Sequence, residues 1–440
     1  MSSYIKEKTQ GDTSWYSDAC FGMFIHWGIY ALPARHEWVK TNEKMSEEDY
    51  DVYFNRFDPD LYDPREWARN AKAAGMKYVV FTTKHHDGFC MWDSAFTDYK
   101  CTNTPANRDL LRELVDAFRE EGLHIGLYYS LLDWHHPHFT IDAKHPRCND
   151  VNAKELNKTR DMRIYAKYMR DQITELLTNY GKIEILWLDF FYPDEPDNLE
   201  WPKGKGAEDF ESDELLKTIR QLQPDIIINN RSGIRQDLSC PEQYEPTEWL
   251  KNPETGELVT WENGHTFSGS WGYYRDEQTW KTPETLIRLL INAVSLGGNM
   301  IMNVGPTARG YFDYRAVEAL GVYEKWMKYN SRSIYNCTMA EPDILKALPT
   351  GCLFTQSKDG KRLYLHLISY PFLQVKLPGL AGRIKYAQFL HDGSEIKRMT
   401  NRIIAIGEQP PIADEDQLCT LLVPAVKPNV VVPVIEIFLD

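Results

Sequence analysis

The stretch KYVVFTTKHHDGFC, Lys77 to Cys90, decides the fold. It begins as an apolar run and stops abruptly in Lys-His-His-Asp-Gly. Successive apolar residues at 78–81 are the mark of a strand buried on both faces of a parallel sheet. Before it lies DPREWARNAKAAG (63–75), where Asp63 can cap a helix, Pro64 fits the first turn and Gly75 ends it. After it, NRDLLRELVDAFREEG (107–122) places Leu110, Leu111, Leu114, Val115 and Phe118 on one helical face, with Gly122 as the stop.

The same alternation extends outward. FGMFIHWG (21–28), HIGLYYS (124–130), IEILWLDF (183–190), DIIINNR (225–231), GSWGYY (269–274) and NMIMNVGP (299–306) read as further strands. DMRIYAKYMRDQITELLTNYG (161–181) and TPETLIRLLINAVSLGG (282–298) read as helices, the latter capped by Thr282 with Pro283 in its first turn. Strand–helix alternation over some three-quarters of the chain predicts a (β/α)8-type barrel over residues 1–340. Seven strands are clear. An eighth is expected between Cys240 and Trp261, where the barrel is open to irregularity. An open doubly wound sheet is the second choice, but no G-x-G-x-x-G follows the first strand. Beyond about residue 345 the pattern changes to short strands separated by Lys-Asp-Gly, Pro-Gly and Asp-Gly turns. This predicts a small antiparallel β-sandwich over residues 341–440.

Bulk properties narrow the function. Of 440 residues, 42% are hydrophobic and 26% charged, as in a soluble globular protein. The net charge of −14 and the lack of a basic run argue against nucleic acid. No apolar run is long enough to span a membrane, and MSSYIKEKTQGDTSWY shows no signal-peptide core. The eight scattered cysteines, with no C-x-x-C pair, read as free thiols. The expectation is a cytoplasmic protein; a homo-oligomer is compatible with the sequence. The 13 Trp and 25 Tyr supply flat faces on which sugar rings stack, or else a large aromatic core.

In a barrel, chemistry sits at the C-terminal ends of the strands. Six runs turn polar or aromatic at that end: His26-Trp27-Gly28, His85-His86-Asp87, Tyr128-Tyr129-Ser130, Trp187-Leu188-Asp189, Asn229-Asn230-Arg231 and Trp271-Gly272-Tyr273. Asp189 follows Ile-Leu-Trp-Leu and should be buried, which is costly for a carboxylate without partners. It is either satisfied by backbone amides or a nucleophile kept ionised by Arg231 and histidines. Aromatic and imidazole walls with convergent carboxylates suit glycoside hydrolysis, where two acids flank the scissile bond. The histidines of HHDG and DWHHPH lack H-E-x-x-H spacing, so neither metal nor cofactor is expected.

These motifs resemble a known family. FGMFIHWGIYALPARHEWV, KYVVFTTKHHDGFCMWDS, GLYYSLLDW, ILWLDF and GGNMIMNVGPTARG are similar, in order, to the α-L-fucosidases of glycoside hydrolase family 29, over about residues 15–330. The resemblance implies a retaining exo-α-L-fucosidase acting on fucosylated glycans. It implies Asp189 as nucleophile, with His26, Glu37, Trp38, His85, His86, Tyr128, Trp187, Arg231 and Trp271 binding the sugar. The acid/base position varies within that family, and three glutamates compete here. Glu242 in CPEQ is preferred; Glu248 in PTEW and Glu262 in TWENGH are the alternatives. Phe190 stands where a glycine often follows the nucleophile. Rival readings are a barrel glycosidase for another sugar and a non-catalytic fucose-binding protein.

Overall fold

The computed structural model describes residues 6–195, 198–399 and 418–440. Its larger sheet is parallel and seven-stranded. The strands are β1 (Phe21–Ile25), β2 (Tyr78–Lys84), β3 (His124–Ser130), β4 (Ile185–Asp189), β5 (Ile227–Ile228), β6 (Glu262–Thr266) and β7 (Asn299–Val304), in the order β5-β4-β3-β2-β1-β7-β6. Parallel neighbours need crossovers, and amphipathic helices supply them. These include Pro64–Ala73, Leu110–Glu120, Met162–Asn179 and Pro283–Ser295. The two caps read from the sequence form, Asp63 accepting from the amides of Arg65 and Glu66 and Thr282 from Thr285, and Asp161 caps a third helix by accepting from Arg163.

Strand periodicity divides the core in two. Phe24, Tyr78, Val80, Tyr128, Ile185, Trp187, Ile227 and Ile301 form an inner cluster. Their odd-step neighbours Met23, Val79, Phe81, Leu127, Leu186, Leu188 and Met302 join the outer cluster with the helices. A sheet with one enclosed inner face and one helix-covered outer face gives this division.

Two expectations are corrected. GSWGYY is no strand: Ser270 Oγ donates to the Gly272 carbonyl at 2.7 Å, and the segment turns over the sheet as a loop. The strand before it is β6, whose sequence ENGHT carries no apolar signal although all five residues are buried. Its inward Glu262 finds polar partners inside the sheet. Gly264 lets the Trp271 ring approach, since a Cβ there would lie 3.2 Å from it, a tight contact. The expected eighth strand is reduced to single parallel bridges, Asn229 with Leu238, Ser239 with Trp261 and Glu242 with Gly264. These bridges link residues 238–242 to Asn229, just after β5, and to Trp261 and Gly264, just before and within β6.

C-terminal to this lie a five-stranded and a three-stranded antiparallel sheet. Phe354, Leu363, Leu365, Ile435 and Ile437 of the first share one apolar cluster with Val375, Leu377, Cys419 and Leu421 of the second. Residues 400–417 of this expected sandwich lie outside the described residues.

Candidate active site

The cleft at the C-terminal ends of the strands answers why β2 ends in Lys-His-His-Asp-Gly. His85 and His86 line the cleft. Their neighbours turn away and tie the loop down. Lys84, fully buried, donates to Asp133 at 2.9 Å. Asp133 also accepts from the amides of His135 and His136, so DWHHPH is a strapped loop. Among the described residues no group of three or more His, Cys, Asp and Glu is placed to hold a metal ion. Asp87 accepts from Tyr50 Oη at 2.8 Å and from the Phe89 amide. Gly88 has φ 81°, and a Cβ there would fall 2.3 Å from Asp133 Oδ1, so only glycine fits.

Thirteen residues line the cleft. They include all nine sugar-binding candidates, with Asp189 and Glu242; Phe24 and Phe190 complete it. Asp189 ends β4 opposite Ser130 of β3. Its Oδ1 accepts from Arg231 Nη1 at 2.8 Å and its Oδ2 from Tyr128 Oη at 2.6 Å, partners that suit an anion. His86 Nε2 lies 4.0 Å from Oδ2. The other terminal nitrogen of Arg231 reaches Glu242 Oε1 at 2.5 Å and the Cys240 carbonyl at 3.0 Å. One guanidinium thus joins the two carboxylates, and it rests 4.7 Å over the Trp187 ring.

The three competing glutamates occupy different places. Glu242 lines the cleft with its side chain 32% exposed. Burial pushes its carboxyl up to about 7; Arg231 opposes the rise and Asp189 reinforces it. Glu248 points to solvent, 72% exposed and paired with Lys251 at 2.8 Å. Glu262 is 1% exposed beneath the cleft, where its carboxylate accepts from Tyr16, Tyr78 and Trp187. Burial raises it too, against those hydrogen bonds.

The histidines are held neutral, chiefly by burial. His26 and His85 are shifted down and His86 falls to about 4. Their tautomers follow from the network. Asn303 Nδ2 donates to the Trp271 carbonyl, so its Oδ1 faces His26 Nδ1 at 2.7 Å and accepts a hydrogen bond from its N–H. Ser130 Oγ donates to the Leu132 carbonyl at 2.9 Å, leaving it to accept from His86 Nδ1 at 2.7 Å. Both rings therefore present a bare Nε2 as an acceptor. Glu37 Oε2 accepts from the Gly272 amide at 2.8 Å, tying the Glu37–Trp38 segment to the loop that carries Trp271.

Sequence reasoning missed Phe24 and Asn303, and it named Ser130 as part of a polar strand end without giving it a partner. Asn303 stands near the end of a strand already recognised, and the polar-end rule applied to NMIMNVGP would have found it. The residues that follow the two carboxylates, Phe190 (φ 79°) and Gln243 (φ 49°), both adopt left-handed backbone. For a bulky side chain this is a costly state that clusters at functional sites. It aims the Phe190 ring back at Trp38 and His86, with centroids 5.3 and 4.9 Å away.

A family model described as α-L-fucosidase matches residues 3–332. The tissue α-L-fucosidase of Bos taurus is 32% identical over 387 residues, covering 81% of this chain and 75% of its own length. The α-L-fucosidase of Dictyostelium discoideum is 30% identical over 383 residues, covering 81% and 78%. Among solved structures, α-L-fucosidase isoenzyme 1 from Paenibacillus thiaminolyticus is 41% identical. It superposes with a TM-score of 0.87 over 97% of this chain and 98% of that one.

Proposed function

The chain belongs to the α-L-fucosidase family of glycoside hydrolases, and from that premise we propose that it releases terminal α-L-fucose with retention, Asp189 acting as nucleophile and Glu242 as acid/base. The observation that carries the assignment is Arg231, whose two terminal nitrogens hold one oxygen of each carboxyl group. Carboxyls bridged by one guanidinium are neighbours in the cleft, the arrangement of a retaining pair, which stands ~5 Å apart.

In the first step Asp189 attacks the anomeric carbon while Glu242, protonated, gives its proton to the departing glycosidic oxygen. The C–O bond to the aglycone breaks and a β-fucosyl ester forms on Asp189. In the second step the Glu242 carboxylate takes a proton from water, which attacks the same carbon, and Asp189 leaves. An acid/base near 7 fits both duties. The bare Nε2 atoms of His26 and His86 accept sugar hydroxyl protons, and Arg231 donates to the carboxylates. Trp271 and Phe24, packed 5.9 Å apart, offer an apolar wall to the C6 methyl.

We further infer that the parallel sheet closes as a (β/α)8-type barrel through the bridges at 238–242, and that the two C-terminal sheets form a sandwich over about residues 341–440. The shared apolar cluster supports the second point.

Proton NMR of an aryl α-L-fucoside digest tests the reaction: α-L-fucose should appear first and mutarotate later. β-L-Fucose as the first product would overturn retention. A panel of aryl glycosides tests the sugar. A methyl in an apolar slot contributes about 1–3 kcal/mol, so the α-L-galactoside should be a poor substrate.

A further inference from the structure

Glu262 takes no part in these steps, yet it is a fully buried carboxylate directly below them. Among the described residues no cation lies within ion-pair distance of it. A charge-bearing group in that position is expensive unless its surroundings are built for it. They are: Tyr16 and Tyr78 each donate to Oε2 at 2.5 Å, and Trp187 Nε1 donates to Oε1 at 3.3 Å. Three donors converge on an acceptor-only group, and Tyr16 and Tyr78 are themselves fully buried.

The connection upward runs through Trp187. Arg231 sits on its ring at 4.7 Å, and Tyr128 stacks on it at 5.7 Å and 20°. Those are the two side chains that hold the two oxygens of Asp189, and Arg231 also holds Glu242. An indole free to pivot would release both. We infer that Glu262 is a positioning residue: it pins the Trp187 indole, and so fixes Arg231 and Tyr128 around the reacting carboxylates. This role rests on Asp189 and Glu242 being the catalytic pair.

A merely structural plug beneath the cleft would cost stability and leave the chemistry of the survivors unchanged. Positioning predicts something else. The charged groups facing Glu242 are Arg231, Asp189 and Glu37, with Tyr128 and Cys240 nearby as neutral groups pushed up by burial. Of the charged three, only Arg231 rests on Trp187, and it holds the Glu242 proton affinity down. Loosening it should move the basic limb of the kcat–pH profile upward.

The test uses Glu262→Gln, which keeps the shape but brings two N–H donors into a cage of donors, and Trp187→Phe, which keeps a ring but removes the N–H. Each should lower kcat about 10- to 100-fold, as expected for a supporting hydrogen bond around a catalytic group. Each should also displace the basic limb upward, and Glu262→Gln should leave KM within about threefold of wild type. The double variant should be no worse than the more damaged single, because both act through one contact. If Glu262→Gln fails to fold, Trp187→Phe carries the test alone. An unmoved basic limb, or losses that multiply, while azide still rescues Glu242→Ala, would overturn the positioning role alone. Azide rescue of Glu262→Gln but not of Glu242→Ala would overturn the catalytic assignment of Glu242, and this role with it.

Discussion

The cleft at the strand ends and the sheet interior beneath it each hold a glutamate whose carboxyl is raised by burial. Glu242 in the cleft faces open space, a cation and a second carboxylate. Glu262, beneath the cleft, faces two phenols and an indole and is 1% exposed. A shifted carboxyl therefore does not by itself identify an acid catalyst; access to the substrate and a partner carboxylate do. The same contrast extends to backbone. The residues that follow Asp189 and Glu242 are in the left-handed region, whereas Glu262 opens a regular strand.

The contrast is broken most severely at Asp189. Asp189→Asn keeps the shape and removes the nucleophile, so kcat should fall on the order of 10⁴-fold or more, with the circular-dichroism spectrum unchanged. Turnover near wild type would remove Asp189 from the mechanism. Next comes Glu242→Ala. Loss of general acid catalysis should cost about 10²–10⁴-fold with poor leaving groups and far less with good ones. Added azide should restore turnover and yield β-L-fucosyl azide. In the wild type, kcat/KM should decline as pH rises through about 7, because Glu242 then gives up the proton that the first step requires. It should also decline below about 4, where His86 gains a proton and its Nε2 stops accepting. A profile flat from 6 to 9 would contradict the first assignment.

A smaller effect isolates the backbone in the cleft. Phe190→Gly and Phe190→Ala both delete the ring, but only glycine is at ease at φ 79°. Glycine should be the more stable of the two by about 1 kcal/mol in urea titration. Equal midpoints would mean that the left-handed turn costs nothing. The smallest effect is expected at Glu248. Its exposed pairing with Lys251 contributes little, so Glu248→Gln should change stability by less than about 0.5 kcal/mol and kcat less than twofold.

Much of this was legible because polarity appears where apolar strands end. His26, His85, His86, Tyr128, Trp187 and Asp189 all declare themselves that way, and the helix caps at Asp63 and Thr282 are read directly. The strand Glu262–Thr266 was not legible, because its inward positions hold a carboxylate and a glycine in place of aliphatic residues. The partners that make Glu262 tolerable, Tyr16 and Tyr78, lie 246 and 184 residues away along the chain. No local pattern encodes such a contact. Ranking the three glutamates rested on resemblance in the sequence; the shared hydrogen bonds of Arg231 give that ranking a physical basis.

The central claim is that Asp189 becomes fucosylated while Glu242 serves it. Incubation with 2-deoxy-2-fluoro-α-L-fucosyl fluoride, followed by proteolysis and peptide mass mapping, tests it most directly. Time-dependent inactivation is expected with one label per chain, on Asp189, and slower labelling at the same site in Arg231→Lys. A label on Glu242, Glu262 or any other carboxylate would contradict it.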